Sequence, residues 1–291
     1  MASDALTRRT RTSALERLEA IVRGYGPTIT AFSGGVDSTL VAAVAARVHG
    51  DQALAVTGVS PSLAPSERHH AEQLAQSLGL AHRTIVTDEL SRPGYRANLG
   101  NRCYFCKSEL YEALAALALA EGYAAVASGD NLDDLGEHRP GALAAQQQNV
   151  RKPLVEAGLS KADVRELARQ LALPNSEKPA APCLASRVPH GTPVDGQTLA
   201  RIDQAEAAVR ALGFDVFRVR HHGDLARLEL PAAEMPRAVE LRAELLRVVR
   251  QAGYAWVALD LAGFRSGSLN LVLVDGVLVG GASGDGQIPQ G

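Results

Sequence analysis

A chain of 291 residues, 46% hydrophobic and 21% charged, has enough apolar material for one large or two moderate domains, which excludes a disordered or fibrous protein. Thirty Lys and Arg against 32 Asp and Glu leave a formal charge of −2, so no global basic surface advertises nucleic acid. Three cysteines are too few for a disulfide-stapled secreted domain, no run approaches the roughly 18 apolar residues of a membrane span, and no apolar leader follows Met1, so the cytoplasm is the expected location.

In chain order, the spacing of Leu15, Leu18, Ile21 and Val22 predicts a helix over 12–24. T-I-T-A-F, 28–32, reads as a short buried strand, followed by S-G-G-V-D-S and then a helical T-L-V-A-A-V-A-A-R-V. Strands are expected at 53–59, 82–86 and 123–129, with helices over 65–79 and 104–121 between them. A helix over 160–172 carries Ser160 as its N-cap and Asp163 in the first turn. This alternation predicts an α/β fold built on a doubly wound parallel sheet. The prolines of P-N-S-E-K-P-A-A-P-C, 174–183, interrupt the regularity. Beyond them, a helix over 196–212, strands at 214–220 and 225–230 forming a hairpin, a long helix over 232–252 and a closing strand W-V-A-L-D-L form a smaller α+β unit. The expected organisation is a nucleotide domain over 1–190, a small substrate or oligomerisation domain over 191–277 and a frayed tail over 278–291.

The loop S-G-G-V-D-S joins a strand to a helix. Gly34 and Gly35 permit a tight turn and close approach of a ligand, the helix N-terminus favours an anion, and Ser33 and Ser38 add hydroxyl donors. The plainer alternative is a glycine-rich turn with no ligand. The string lacks the G-K-[ST] ending of a Walker loop and is not G-x-G-x-x-G. A second loop, S-G-D-N-L-D-D-L-G-E-H-R-P-G over 128–141, offers Asp130, Asp133 and Asp134 as oxygen ligands for Mg²⁺; the plainer alternative is that Asp130 or Asn131 caps the next helix. Arg151 and Lys152 are weaker candidates for phosphate contact.

Downstream, C-L-A-S-R places Ser186 and Arg187 just after Cys183, and F-R-V-R sets Arg218 and Arg220 two apart, on one face of a strand. Two guanidinium groups on one face call for an anion or for carboxylates. The arginines form a phosphate or carboxylate clamp, or they pair internally with Glu206 and Glu229, which are also candidates for a divalent metal. The pairs His69–His70 and His221–His222 read as surface residues. Cys103 and Cys106, in R-C-Y-F-C-K, fit a redox pair, part of a zinc site or part of an iron–sulfur site, and Cys183 is the only further thiol.

S-G-G-V-D-S in this setting resembles the PP-loop of the ATP pyrophosphatase superfamily. The resemblance implies that Ser33, Gly34, Gly35, Asp37 and Ser38 hold the pyrophosphate end of ATP with Mg²⁺, that Gly58 and Ser60 lie near the adenine, and that Gly129 and Asp130 complete the site. With R-C-Y-F-C-K, D-N-x-D-D, R-P-G, P-C-L-A-S-R, F-R-V-R and D-L-A-G-F-R-S-G-S-L-N, the chain resembles the LarE family of ATP-dependent sulfur transferases over nearly its whole length. That resemblance implies adenylation of a carboxylate of pyridinium-3,5-biscarboxylic acid mononucleotide and its conversion to a thiocarboxylate, a step in making the nickel-pincer nucleotide cofactor. Ser186, Arg187, Arg218 and Arg220 would bind that substrate. In one type of member a cysteine equivalent to Cys183 gives up its own sulfur. In the other, three cysteines, here Cys103, Cys106 and Cys183, hold a 4Fe–4S cluster whose open iron carries sulfide. The family also implies sulfide or a sulfur-donor protein as partner, no nucleic acid, no membrane, and a homo-oligomer, a trimer-based hexamer. Rival readings are tRNA thiolation, which needs a basic face, an amide-forming ligase, which has no use for three cysteines, and a non-catalytic binding module.

Overall fold

The structure, a computed structural model, describes residues 2–135 and 140–265 and a two-stranded ribbon, Leu273–Val274 with Val277–Leu278; the first helix is described as backbone up to residue 13. The chain divides into two compact units, 1–60 with 65–89 and 103–181, and 61–64 with 90–102 and 182–291. The division after 181 precedes the expected one near 190. Two early segments also join the later unit, because Asn98 donates to the carbonyls of Pro189 and Thr192 (2.8 and 2.9 Å), and the Ser62 carbonyl accepts from Leu184 N–H (2.9 Å).

The first unit runs α1 (Ala2–Tyr25), β1 (Thr28–Ala31), α2 (Val36–His49), β2 (Ala53–Val59), α3 (Pro65–Ser77) and β3 (His82–Val86). After α4 (Pro93–Ala97), which belongs to the second unit, come α5 (Arg102–Glu121), β4 (Ala125–Ala127), α6 (Gly141–Gln147), α7 (Pro153–Glu156) and α8 (Lys161–Gln170). Its sheet has the order β3-β2-β1-β4 and every pairing is parallel. Both β1 and β2 are largely buried, and β2 reads as a near-continuous apolar run. Ile29, Leu54, Val56 and Val126 pack with Tyr111 and Leu114 of α5, while Ala53 and Ala127 face Val41 and Val44 of α2 and Leu18 and Val22 of α1. The expected Ser160 cap of α8 is present, and Asp163 makes it a capping box: Asp163 N–H donates to Ser160 Oγ (3.3 Å) and Ser160 N–H to Asp163 Oδ2 (3.0 Å).

The decisive feature is the strand order. From β1 the chain moves outward to β2 and β3 on one side, then returns to place β4 on the other. The carboxyl ends of β1 and β4 therefore flank a topological switch point, where open α/β sheets bind ligands.

The second unit contains α9 (Gly196–Ala211), β5 (Arg218–His222), β6 (Leu225–Glu229), α10 (Met235–Glu240), α11 (Arg242–Gln251) and β7 (Trp256–Leu259). The expected hairpin is present as antiparallel β5–β6, and β7 adds parallel to β6. The strand expected at 214–220 begins only at Arg218: Phe214 and Phe217, three apart, are both buried while Val216 is exposed, so this stretch turns rather than alternates. The long helix expected over 232–252 divides at Leu241, and its start is delayed to Met235 because Pro236, without an N–H, suits a first turn. Among the described residues no helix is long and apolar enough to cross a membrane. The expected tail beyond 278 lies outside the described residues.

His221 corrects the surface reading. It is buried, edge-on to the Tyr254 ring, with Nδ1 3.1 Å from the Tyr254 hydroxyl. Burial first, then Arg201 and His222, hold its pKa below the ordinary value, against the smaller pull of Asp195 and Asp224. A folded pKa below the unfolded one means the unfolded chain binds the proton first. The stability is then complete above the unfolded pKa of about 6.5 and is lost as pH falls through that value towards the folded pKa. The thermal midpoint is expected to fall between about pH 7.5 and about pH 5.5, with a shallower fall in His221→Gln; equal slopes would place the dependence elsewhere, for instance on His82, whose pKa burial also lowers.

Candidate functional site

At the switch point of the first unit, the loop 33–38 turns on Gly34 in the left-handed region (φ +70°), with Ala71 so close beneath that a Cβ there would lie 3.1 Å from it. Ser33 N–H donates to Ser38 Oγ (3.2 Å), and Ser38 Oγ donates to the Gly35 carbonyl (3.1 Å). Gly35 is the N-cap of α2 and makes no side-chain cap, so the first N–H groups of α2 are presented to a ligand.

The loop after β4 lies against this one. A Cβ on Gly129 would meet the Ser38 backbone nitrogen at 2.7 Å. Asn131 Nδ2 donates to Asp37 Oδ1 (3.2 Å), and Lys161, the first residue of α8, pairs its ammonium with Asp37 Oδ2. Ser128 Oγ donates to Asp130 (2.6 Å). The other expected Mg²⁺ ligands are committed to backbone: Asp134 accepts from Asn131 N–H (2.9 Å) and Asp133 from Lys161 N–H (2.8 Å). These two therefore cap turns, which leaves Asp37 and Asp130 as the carboxylates beside the loop. A Cβ on Gly58 would approach the Leu110 side-chain tip to 2.8 Å, and Ser60 donates to the buried Glu89. The Arg151 guanidinium stacks on Tyr25 (5.5 Å), and the Lys152 backbone N–H donates to Glu156 (3.4 Å).

Three residues at this site, Lys161, Asn175 and Lys107, escape sequence reading, and Asn131 is read there only as a possible cap. Lys161 and Asn131 reach Asp37 across 124 and 94 residues, and Asn175, in the stretch read only as a break, reaches Gly34 across 141. Lys107 follows the C-x-x-C pair directly. Its ammonium lies 5.4 Å from the Tyr111 ring centre, and Tyr111, then Asp130 and Cys106, hold its pKa above the ordinary lysine value against the opposing effect of burial. His70 also departs from the surface reading: it is half-buried beside Gly34, with its pKa lowered first by burial and then by Lys178.

The second unit holds the arginines. Arg187 Nε and Nη2 donate to the two oxygens of Glu206 (2.8 Å each), a buried bidentate pair, and Nη1 donates to the carbonyls of Pro182 (2.6 Å) and Cys183 (3.1 Å). Arg220 donates to Glu229 (2.7 Å) and to the Ser186 carbonyl (2.8 Å), and Arg227 also pairs with Glu229 (3.2 Å). The internal pairing holds for these residues. It also removes the divalent-metal expectation at Glu206 and Glu229: their oxygens are occupied by guanidinium groups, which repel a cation, and Glu206 further accepts from Val219 N–H (3.1 Å). Arg218 differs. Half-buried over Phe264 (5.0 Å), it donates to the Phe217 carbonyl (2.6 Å) and, among the described residues, makes no ion pair. Burial first, then Arg187, draws its pKa down to about 10, so it stays charged at neutral pH while its charged form is disfavoured. Arg218 is thus the member of the cluster that an anion would relieve.

The cysteines divide between the units. Cys103 and Cys106 occupy the start of α5, three apart and so neighbours on one face, Cys103 exposed; Cys183 precedes a 3-10 turn, Leu184–Arg187, in the second unit. None is in a disulfide. Within neither unit, among the described residues, do three His, Cys, Asp or Glu side chains converge as metal ligands. Arg139 and residues 266–270 of the quoted motifs lie outside the described residues.

Comparison with known proteins agrees with this geometry. The asparagine synthase family model matches residues 16–91, the part that includes the phosphate loop. An uncharacterized protein of Synechocystis sp. is 46% identical over 90% of this chain and 98% of its own length, and one of Methanocaldococcus jannaschii is 26% identical over 82% and 90%. The pyridinium-3,5-bisthiocarboxylic acid mononucleotide synthase of Lactiplantibacillus plantarum is 36% identical over 93% of this chain and 96% of its own length. A likeness of that extent, running through the phosphate loop and the arginine cluster alike, shows that the chain belongs to the LarE family of PP-loop proteins.

Proposed function

We propose that the protein is an ATP-dependent sulfur transferase acting on pyridinium-3,5-biscarboxylic acid mononucleotide in nickel-pincer cofactor biosynthesis. The observation that carries this is the full-length likeness to the L. plantarum synthase. In this reading the N–H groups at the start of α2 and the Ser33 and Ser38 hydroxyls bind the β,γ-phosphates and draw Lys161 from Asp37 towards them; Asp130, with the Asp37 oxygen that Lys161 gives up, would hold the Mg²⁺ that ATP brings. A substrate carboxylate oxygen attacks the α-phosphorus, and pyrophosphate leaves. A sulfide-level sulfur then adds to the acyl carbon, AMP leaves with the C–O electron pair, and a thiocarboxylate remains. Arg218 binds the anionic substrate, and the Arg187–Glu206 pair anchors the turn that bears Cys183.

For the sulfur, Cys103, Cys106 and Cys183 suit a 4Fe–4S cluster as a donor set: all are outside disulfides, and Cys103, which is exposed, shares a helix face with Cys106. Such a cluster would supply a site for an extra sulfide on the iron without a protein ligand. A second reading is favoured by the place of Cys183, which alone shares its unit with the arginine cluster. Its thiolate displaces AMP to form a thioester, and loss of the Cα proton then breaks the Cβ–S bond, leaving the product thiocarboxylate and dehydroalanine.

Anaerobic reconstitution with iron and sulfide separates the two. The cluster reading expects iron bound in proportion to chain and loss of both iron and activity in Cys103→Ala. Activity retained in Cys103→Ala, with used protein lighter by one hydrogen sulfide, establishes Cys183 as the donor instead.

A further inference from the structure

Asn175 is 4% exposed and lies in the first unit, within P-N-S-E-K-P, a stretch whose composition signals only a break. Its Nδ2 donates to the Gly34 carbonyl (3.1 Å) and to Thr39 Oγ1 (3.0 Å). Thr39, fully buried, passes its own hydroxyl proton to the Gly35 carbonyl (2.9 Å). The amide thus restrains the Gly34 carbonyl directly and leans on Thr39, whose hydroxyl joins its own N–H (3.0 Å) and Ser38 Oγ (3.1 Å) in holding the Gly35 carbonyl. The direction of the amide is set by its partners, because turned over it would set Oδ1 against the Gly34 oxygen.

The restraint matters because of the geometry of a trans peptide. The carbonyl of Gly34 and the N–H of Gly35 lie in one plane and point in opposite directions within it. Fixing the carbonyl inward fixes the N–H outward. With glycine on both sides, that peptide can rotate at little steric cost, and rotation would turn a carbonyl dipole towards a bound phosphate. The hydrogen bond from Gly35 N–H to Ser33 Oγ, at 3.4 Å, is too long to hold the plane by itself.

We infer that Asn175 is a positioning residue for ATP: it holds the Gly34–Gly35 peptide, with Thr39, in the orientation that receives the phosphates. The inference rests on the ATP-binding reading proposed above. In the full-length protein, Asn175→Asp replaces the donor with a carboxylate that repels the Gly34 oxygen, and Thr39→Val removes the relay without changing side-chain shape. Both are expected to raise KM for ATP about tenfold or more while kcat moves less than about threefold and KM for the pyridinium substrate is unchanged. Glu177→Gln, on an exposed side chain nearby that pairs with Arg169, is expected to leave all three constants unchanged. ATP binding by calorimetry serves as the second readout, with α,β-methylene-ATP as the probe. Equal affinity of the wild type and Asn175→Asp for that probe, or a fall in kcat and thermal midpoint with KM for ATP unmoved, overturns the positioning role. Absence of binding by the wild type itself overturns the ATP reading instead.

Discussion

Gly129→Ala is expected to cut ATP-dependent turnover by about 100-fold or more while the chain still folds, because a misplacement of roughly 1 Å at a reacting centre is enough for a loss of that size. The new methyl would sit 2.7 Å from the Ser38 nitrogen and 3.0 Å from the Asp37 carbonyl carbon, both backbone atoms of the first turn of α2, which cannot swing aside as a side-chain tip can. Relief requires separating the loop after β4 from the phosphate loop, and with it Asn131 from Asp37. The cost to stability is the overpacking cost of about 1–3 kcal/mol. Gly24→Ala, with nothing within 4 Å of the added methyl, is the matched control and is expected to keep full activity. Pyrophosphate release measured beside thermal midpoints tests this. Turnover within threefold of wild type would show that the contact between the two loops does not position ATP.

Much of that site was legible in the chain. A parallel strand buried on both faces leaves a near-continuous apolar run, so β2 and the glycine turn after β1 announce themselves locally, as does the Ser160 cap of α8. What stayed hidden depends on partners far away in sequence. Nothing local marks Lys161 as the partner of Asp37, or Asn175 as the residue that restrains Gly34; both contacts exist only once the sheet has brought α8 and the segment after it back to β1. The same holds for the division into units, since 61–64 and 90–102 carry no compositional signal of joining the later part of the chain. Short helices such as α6 and α7 lack the length for a periodic pattern, and the F-D-V-F stretch imitates strand alternation while burying residues three apart. The arginine cluster lies between these cases: the sequence offers Glu206 and Glu229 as one of two ways to balance the arginines, but which arginine each one takes, and which is left over, is a matter of geometry.

That leftover arginine yields the sharpest contrast. Arg187 and Glu206 have side chains only 7% and 8% exposed, so Arg187→Met leaves a buried carboxylate unpaired and is expected to destabilise by about 3–5 kcal/mol. Arg187→Met with Glu206→Gln should recover most of that loss, since the neutral amide oxygen still accepts from Val219 N–H and no charge is stranded. Arg218→Met should behave in the opposite way. It removes a guanidinium that burial and Arg187 already disfavour and that pairs with no carboxylate among the described residues, so the thermal midpoint should hold or rise. The same change deletes the charge best placed to meet an anionic substrate, and the loss of a charge-assisted hydrogen bond of about 1.5–3 kcal/mol should weaken binding of the pyridinium mononucleotide roughly 10- to 100-fold, with KM for ATP unchanged. Thermal midpoints and substrate titrations on the three variants decide the matter. If Arg218→Met destabilises as Arg187→Met does, or binds the mononucleotide as tightly as wild type, Arg218 is a structural residue, and the anion must be held by other groups.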